Sequence, residues 1–369
     1  MALALIPDTM QAVVLTGHGG LDRLELHEDW PTPVPGADEV LIRVGACGLN
    51  NTDVNTRTGW YSKSNTEATS GDYLAGADDR DGTWGGESVF FPRIQGADIA
   101  GVVVATGERA DHALIGKRVL VDVWFRNWRN PKDLATTGYL GSEYDGGFAE
   151  FTKVDRHQVH SIDCALSTTE LATFATAYLT AESMLDRAQV KAGDAVLITG
   201  ASGGVGSALV QLANRRDAIS IAMCSPEKAE SVMAIGPAAV LERNPIDLRS
   251  TLRQATGRDT VDVVADIVGG RLWPQLIDVI ARGGRYTCAG AIAGPMVEFD
   301  LRTFYLNDLT FTGTTVEPPE VIRTLVGYIE RGEINPLLAR SYPLSRFHEA
   351  QQTFIDKHHV GNIVVCPGS

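Results

Sequence analysis

The sequence predicts a two-domain α/β chain in which a β-rich unit is joined to a doubly wound parallel sheet. Three observations carry this reading. The first third consists of short segments of alternating apolar and polar residues, punctuated by Gly and Pro, as half-buried strands are. From about Ser167 helical spacing takes over, and strands then alternate with helices to roughly residue 315, the pattern of stacked βαβ units. At 369 residues the chain also exceeds what one hydrophobic core usually organises.

Taken in order, QAVVLTG, EVLIRVGACG, DIAGVVVATG and KRVLVDV, between Met10 and Val123, read as strands, and TTELATFATAYLTAESMLDRA reads as helix. Val321 to Gly332 and SRFHEAQQTFID read as further helices. HHVGNIVVCPG reads as a closing strand outside the βαβ series, so the C-terminus is expected to rejoin the first unit. The expected boundaries are 1–165 with 316–369 for the β-rich unit and 166–315 for the parallel-sheet unit. Ser62 to Ser88, crowded with Gly, Asp, Ser and Thr, is long for an internal connection and reads as either a lid or a mobile loop, with Tyr73 and Trp84 as residues to roof a pocket. Trp124 to Gly141 mixes aromatics with arginines and shows no clear period.

Composition narrows the function. A formal net charge of −14 disfavours nucleic acid as a partner, since phosphate backbones are bound through clustered Lys and Arg. No apolar run approaches the length a bilayer crossing needs. The start, MALALIPDTMQAVVL, lacks a basic segment and cleavage site, so a cytoplasmic protein acting on a small-molecule substrate is expected. The five cysteines lie far apart with no CxxC pair, which suits reduced thiols.

The strongest local signal is DAVLITGASGGVGSALVQLANRR. A run from Val196 to Thr199 feeds into Gly200, Ser202, Gly203, Gly204, Val205 and Gly206, and a helix begins. Glycines there let the backbone approach a pyrophosphate, while the N–H groups and dipole of the helix start attract it. A tight βα turn without a ligand would share the glycines; the strand-to-helix context favours a Rossmann-type dinucleotide site. The next strand, ISIAMCSPEKAESV, ends without an acid to accept from a ribose 2′-OH. Ser225, Lys228 and Arg243 are instead placed to hold a 2′-phosphate, which selects NADPH, although Glu227 is an unfavourable neighbour and both cations also read as ordinary solvated charges.

Quoted as they stand, VLIRVGACGLNNTDVNTRTGWY, FPRIQGADIAGVVVATG, GGFAEFTKV, LTAES, TGASGGVG and VGNIVV follow one another in an order that resembles the medium-chain dehydrogenase/reductase superfamily, from Met10 to Pro367, and most of all its zinc-free quinone oxidoreductase branch. The resemblance implies a GroES-like catalytic domain, a Rossmann domain, a cleft between them and commonly a homodimer. It also locates departures from the zinc alcohol dehydrogenases: Asn50 stands where they carry a zinc-binding Cys, and Ala97 where they carry His, while the acid that follows is kept as Asp98. A catalytic zinc needs three deprotonated protein ligands, so none is expected. Cys47, an odd number of strand residues from Asn50, is expected to face the other way as a buried thiol. Trp124 to Gly141, where a structural zinc lobe would lie, has no Cys, and His358 and His359 are read as surface residues.

Without a Lewis acid, hydride delivery suits acceptors that spread the incoming charge, such as quinones and conjugated enones. The resemblance places Asn50, Asp53 and Tyr61 in the segment lining the active site, Tyr61 as candidate proton donor, and Thr180, Gly290 and Ala291 beside the nicotinamide. Tyr61 packing under the long loop, Asn50 stabilising a turn, and Asp53 orienting its neighbours are the competing readings. Asn362 stands where relatives often place a Lys near the cofactor. The expected function is NADPH-dependent, zinc-independent reduction of a quinone or α,β-unsaturated carbonyl. The alternatives are a zinc-type alcohol dehydrogenase with atypical ligands and an NADPH-binding protein with little turnover.

Overall fold

The computed structural model describes residues 6–72, 82–85 and 88–368. Six parallel strands form a sheet in the spatial order Ala239–Glu242, Ile219–Cys224, Ala195–Ile198, Val261–Asp266, Ile280–Cys288 and Thr310–Gly313. In chain order this is 3-2-1-4-5-6, the doubly wound arrangement whose order reverses between Ala195–Ile198 and Val261–Asp266. Ligands bind at the carboxyl ends of strands flanking such a reversal.

Both faces of this sheet are covered, as a parallel sheet requires. In Ala195–Ile198, Val196 and Ile198 join the core shared with the first domain, whereas Ala195 and Leu197 join a second core with Leu252, Trp273 and Leu276. The strand is therefore apolar at every position, because neither of its faces meets water. Helices Ala175–Arg187, Gly204–Arg215 and Val321–Glu330 contribute to the first core, and Leu248–Thr256 and Trp273–Asp278 to the second.

The other domain is built on a seven-stranded sheet in which Glu39–Gly48 pairs antiparallel with Asp98–Thr106, Phe151–Asp155 and the last strand, Asn362–Cys366. The C-terminus thus rejoins the N-terminal sheet, as expected. A three-stranded sheet of Leu24–Pro31, Thr9–Leu15 and Arg93–Ile94 completes it. The segment without a period, Trp124 to Gly141, forms a ribbon of two-residue strands, Trp124–Phe125 and Gly138–Tyr139. Among the described residues no helix is long and apolar enough to cross a membrane.

Candidate active site

The glycine turn has the geometry its residues predict. Gly200 has φ +60°, and a Cβ on Gly206 would lie 2.2 Å from the Gly200 carbonyl oxygen, so only hydrogen fits. The helix starts at Gly204. Ser202, Gly203, Gly204 and Val205 are partly exposed although Ala201 and Gly206 on either side are buried, so the turn opens toward the cleft. The closing strand is fastened to it: Gly361 N–H donates to the Ser202 carbonyl at 2.9 Å. Asn362 is buried against the turn, its Oδ1 2.4 Å from where a Gly204 Cβ would stand, and its Nδ2 has no hydrogen-bond partner. A buried donor without a partner beside a bare-backbone cradle at a helix start fits an anionic pyrophosphate.

Ser225, Lys228 and Arg243 converge at the end of Ile219–Cys224. The Cys224 thiol, pushed up chiefly by burial, also feels Lys228, Glu227 and Arg243, and Arg243 N–H donates to the Cys224 carbonyl at 2.8 Å. Arg243 is exposed, while Lys228 Nζ donates to the Lys357 carbonyl. The Ser225 hydroxyl holds the Glu227 carboxyl below its usual range, so the unfavourable acid is already engaged.

Across the cleft, helix Asn51–Thr58 forms because Asn50 and Asp53 cap it. Asn50 N–H donates to Asp53 Oδ2 at 2.8 Å, and Gly59 in the left-handed conformation, φ 73°, ends it. The two residues singled out in the sequence therefore share a structural duty. The Asn50 side chain faces Asp98, and its Nδ2 is buried without a well-formed hydrogen bond. Asp53 and Asp98 are 2% and 1% exposed. Burial, more than their mutual repulsion, pushes Asp53 up to about 7, and burial pushes Asp98 up to about 6. Tyr61 Oη donates to Thr52 Oγ1 at 3.1 Å, and its ring packs edge-on against Trp60.

Two contributors, Thr176 and Tyr139, are not found by the sequence reading, which names Thr180 and Asp98. Thr176 and Thr180 are partly exposed and lie one turn apart on helix Ala175–Arg187, beside buried neighbours. Thr176 N–H donates to Asp98 Oδ1 at 2.7 Å, and its hydroxyl also faces that carboxyl. Tyr139 Oη is 2.9 Å from Thr176 Oγ1. Burial, then Asp98 and Asp53, hold the Tyr139 phenol well above its usual range, and Tyr61 also acts on it. Asp98 had been noted only as a retained acid; Tyr139 lies in the segment without a period, so only its aromatic character was visible.

The insert is fixed at the ends that can be described. Arg57, fully buried, donates to Gly19 O, Gly71 O and Gln351 Oε1. Thr69 N–H donates to the Ile292 carbonyl at 2.9 Å, beside Gly290 and Ala291, so the insert touches the other domain across the cleft. Trp84 packs edge-on against Trp124 and donates to Glu143; Tyr73 lies outside the described residues. Gly290 and Ala291 are both partly exposed along the same cleft.

Asn50 and Ala97, the two residues that the resemblance puts at zinc-ligand positions, supply no deprotonated ligand. Among the described residues no group of three or more His, Cys, Asp or Glu is arranged to hold a metal. The Cys47 thiol is fully buried against the backbone of Gly96 and Gly147 and is pushed well up by burial. One expectation is corrected: His358 is exposed, but His359 is half-buried against Phe354 with Nδ1 lacking a partner, and burial pushes it down to about 4. Packing of helix Phe347–Asp356 onto the turn after it, invisible in a His-His pair, draws the ring inward.

Comparison with known proteins gives consistent matches. The family model described as alcohol dehydrogenase GroES-like domain matches residues 36–163, and that described as zinc-binding dehydrogenase matches residues 240–365. A candidate alcohol dehydrogenase from Sinorhizobium meliloti 1021, known from its crystal structure, is 46% identical with a TM-score of 0.88, covering 98% of this chain and 97% of that one. The human quinone oxidoreductase is 25% identical over 354 residues, 94% of each chain. An NADPH-dependent alkenal/one oxidoreductase, chloroplastic, of Arabidopsis thaliana is 27% identical over 99% of this chain and 81% of its own length.

Proposed function

Because the chain belongs to the medium-chain dehydrogenase/reductase superfamily, we propose that it is an NADPH-dependent, zinc-independent oxidoreductase that reduces a quinone or an α,β-unsaturated carbonyl. The observation that carries this reading is the cleft itself. A bare-backbone glycine turn packs against helix Ala175–Arg187 at Ala177, and Thr176 beside it joins Asn50, Asp98 and Tyr139 in one hydrogen-bonding group. The names of the quinone and alkenal/one oxidoreductases support the same substrate class.

Bound nicotinamide would supply the hydride. Gly203, Gly204, Val205 and Asn362 are assigned to the pyrophosphate, Thr180, Gly290 and Ala291 to the nicotinamide side, and Ser225, Lys228 and Arg243 to the 2′-phosphate. Asn50 Nδ2, buried beside Asp98 without a well-formed hydrogen bond, is assigned as a donor for the acceptor oxygen on which charge develops. Asp53 orients it by capping the helix behind it. Trp84, packed on Trp124 beside Tyr139, is assigned to roof the site. A homodimer is part of the proposal: Thr310–Gly313 is an edge strand, and Met296, Leu301, Tyr305 and Leu306 expose apolar surface near it.

The test is oxidation of NADPH and NADH, with EDTA present, across quinones, enones, enoyl thioesters and simple aldehydes. Turnover of conjugated acceptors with preference for NADPH is expected. Activity confined to simple aldehydes or alcohols and abolished by chelation would overturn the proposal.

A further inference from the structure

We propose that Tyr139 is the proton donor to the reduced enone, aimed by Thr176 and recharged through Asp98. This rests on the enone reading above and names the group that completes the reaction.

The geometry is a continuous line of exchangeable protons. Tyr139 Oη meets Thr176 Oγ1 at 2.9 Å; the Thr176 hydroxyl and N–H both face Asp98, the N–H at 2.7 Å. Thr176 sits one helical turn, roughly 5 Å, from Thr180 on the open face of the same helix, so the phenol stands next to the assigned nicotinamide edge. Tyr139 is itself held by edge-on packing against Trp124, whose Nε1 donates to Glu317 at 2.7 Å. The hydrogen bond of Tyr61 to Thr52, by contrast, is not carried on to a carboxyl among the described residues. Burial raises the Asp98 carboxyl to about 6, so that it exchanges a proton close to neutral pH, which suits a relay.

The balance is complete with the cofactor of the proposed reaction. Once the hydride has reached the β-carbon, the C=C π bond is broken and the substrate is an enolate. The Tyr139 O–H bond breaks as a C–H bond forms at the α-carbon. The phenolate takes the Thr176 hydroxyl proton, and Thr176 takes the proton of the Asp98 carboxyl. Asp98 is reprotonated from solvent when product leaves, so one NADPH and one proton are consumed per double bond.

The test compares kcat for 4-hexen-3-one with kcat for 1,4-benzoquinone, whose reduced oxygens exchange protons with water unaided. In Tyr139→Phe the enone-to-quinone ratio is expected to fall by about 100-fold, within the usual span for a positioned acid. In Thr176→Val and Asp98→Asn it falls by about tenfold, and Thr176→Ser restores it. NADPH affinity, read by fluorescence, checks that each variant is folded. A ratio unchanged in folded Tyr139→Phe, or a fall produced by Tyr61→Phe instead, would overturn the assignment. Wild-type protein that reduces the quinone but not the enone would overturn the assignment alone. Protein that reduces neither would remove the proposed function with it.

Discussion

Replacing Glu317 with Gln should flatten the dependence of stability on pH. Glu317 lies at the return from the parallel sheet, 3% exposed, in a buried group with Asp122 and Arg126. Trp124 Nε1 donates to its Oε1 at 2.7 Å, Arg126 Nη2 donates to its backbone carbonyl at 2.9 Å, and Arg126 Nε stands 3.9 Å from Asp122 Oδ2. One guanidinium balances one carboxylate. Burial, and next the charge of Asp122, therefore push Glu317 from 4.5 up to about 8, while burial pushes Asp122 up to about 6. A carboxyl that holds its proton more tightly when folded adds no pH dependence below its unfolded value. Stability then falls as pH rises through the window between the two values and levels off above the folded one. A full proton difference is worth about 1.4 kcal/mol per pH step, a ceiling of about 3 kcal/mol between about pH 6 and 8, and relaxation around the pair brings the expectation to about 2 kcal/mol. Gln keeps the acceptor for Trp124 and removes the titration. Urea unfolding of both proteins at the two pH values measures this directly. The wild type should lose about 2 kcal/mol and Glu317→Gln less than half of that; equal losses would refute the buried-acid argument.

Three further outcomes follow from contacts described above. Gly206→Ala places a methyl 2.2 Å from a backbone oxygen that cannot yield, so NADPH binding followed by fluorescence should weaken at least about 100-fold, through loss of the anion cradle; unchanged affinity would mean that the turn does not hold the cofactor. Lys228→Ala and Arg243→Ala should each raise the KM for NADPH by about tenfold and leave that for NADH nearly unchanged, because only the 2′-phosphate distinguishes the two; equal effects on both cofactors would remove the phosphate assignment. Arg57→Lys should cost about 3 kcal/mol in urea unfolding, since a point charge cannot reach the three acceptors, Gly19 O, Gly71 O and Gln351 Oε1, that the guanidinium fork meets; a loss below about 1 kcal/mol would show that the fork is dispensable.

What could be read from the chain before its structure, and what could not, divides along a physical line. The glycine turn was legible because close approach of one backbone to another admits only hydrogen at Gly206, and that demand is met within a few residues of sequence. Strands such as Glu39–Gly48, Asp98–Thr106 and Arg118–Val121 were legible for the same reason: their apolar pattern is local. Arg57 and Tyr139 were not. Arg57 reads as a solvated helix charge, yet it is fully buried, because residues 19, 71 and 351, from distant segments, close around it. Tyr139 sits on a ribbon too short to show alternation, and its partner Thr176 is 37 residues away. Asn50 marks the boundary between the two cases. Its cap on helix Asn51–Thr58 is a local feature that the residue type announces, whereas the buried position of its Nδ2 depends on Asp98 and Thr176, supplied by a strand and a helix elsewhere. The cap and the proposed donor role are not rivals: Asp53 holds the backbone of Asn50, whereas the proposed donor is the side-chain amide, which faces Asp98. A metal at this place would need its ligands fixed by geometry alone; a hydrogen-bonding floor needs each donor fixed from behind, and Asp53 and Thr176 are the residues that do so.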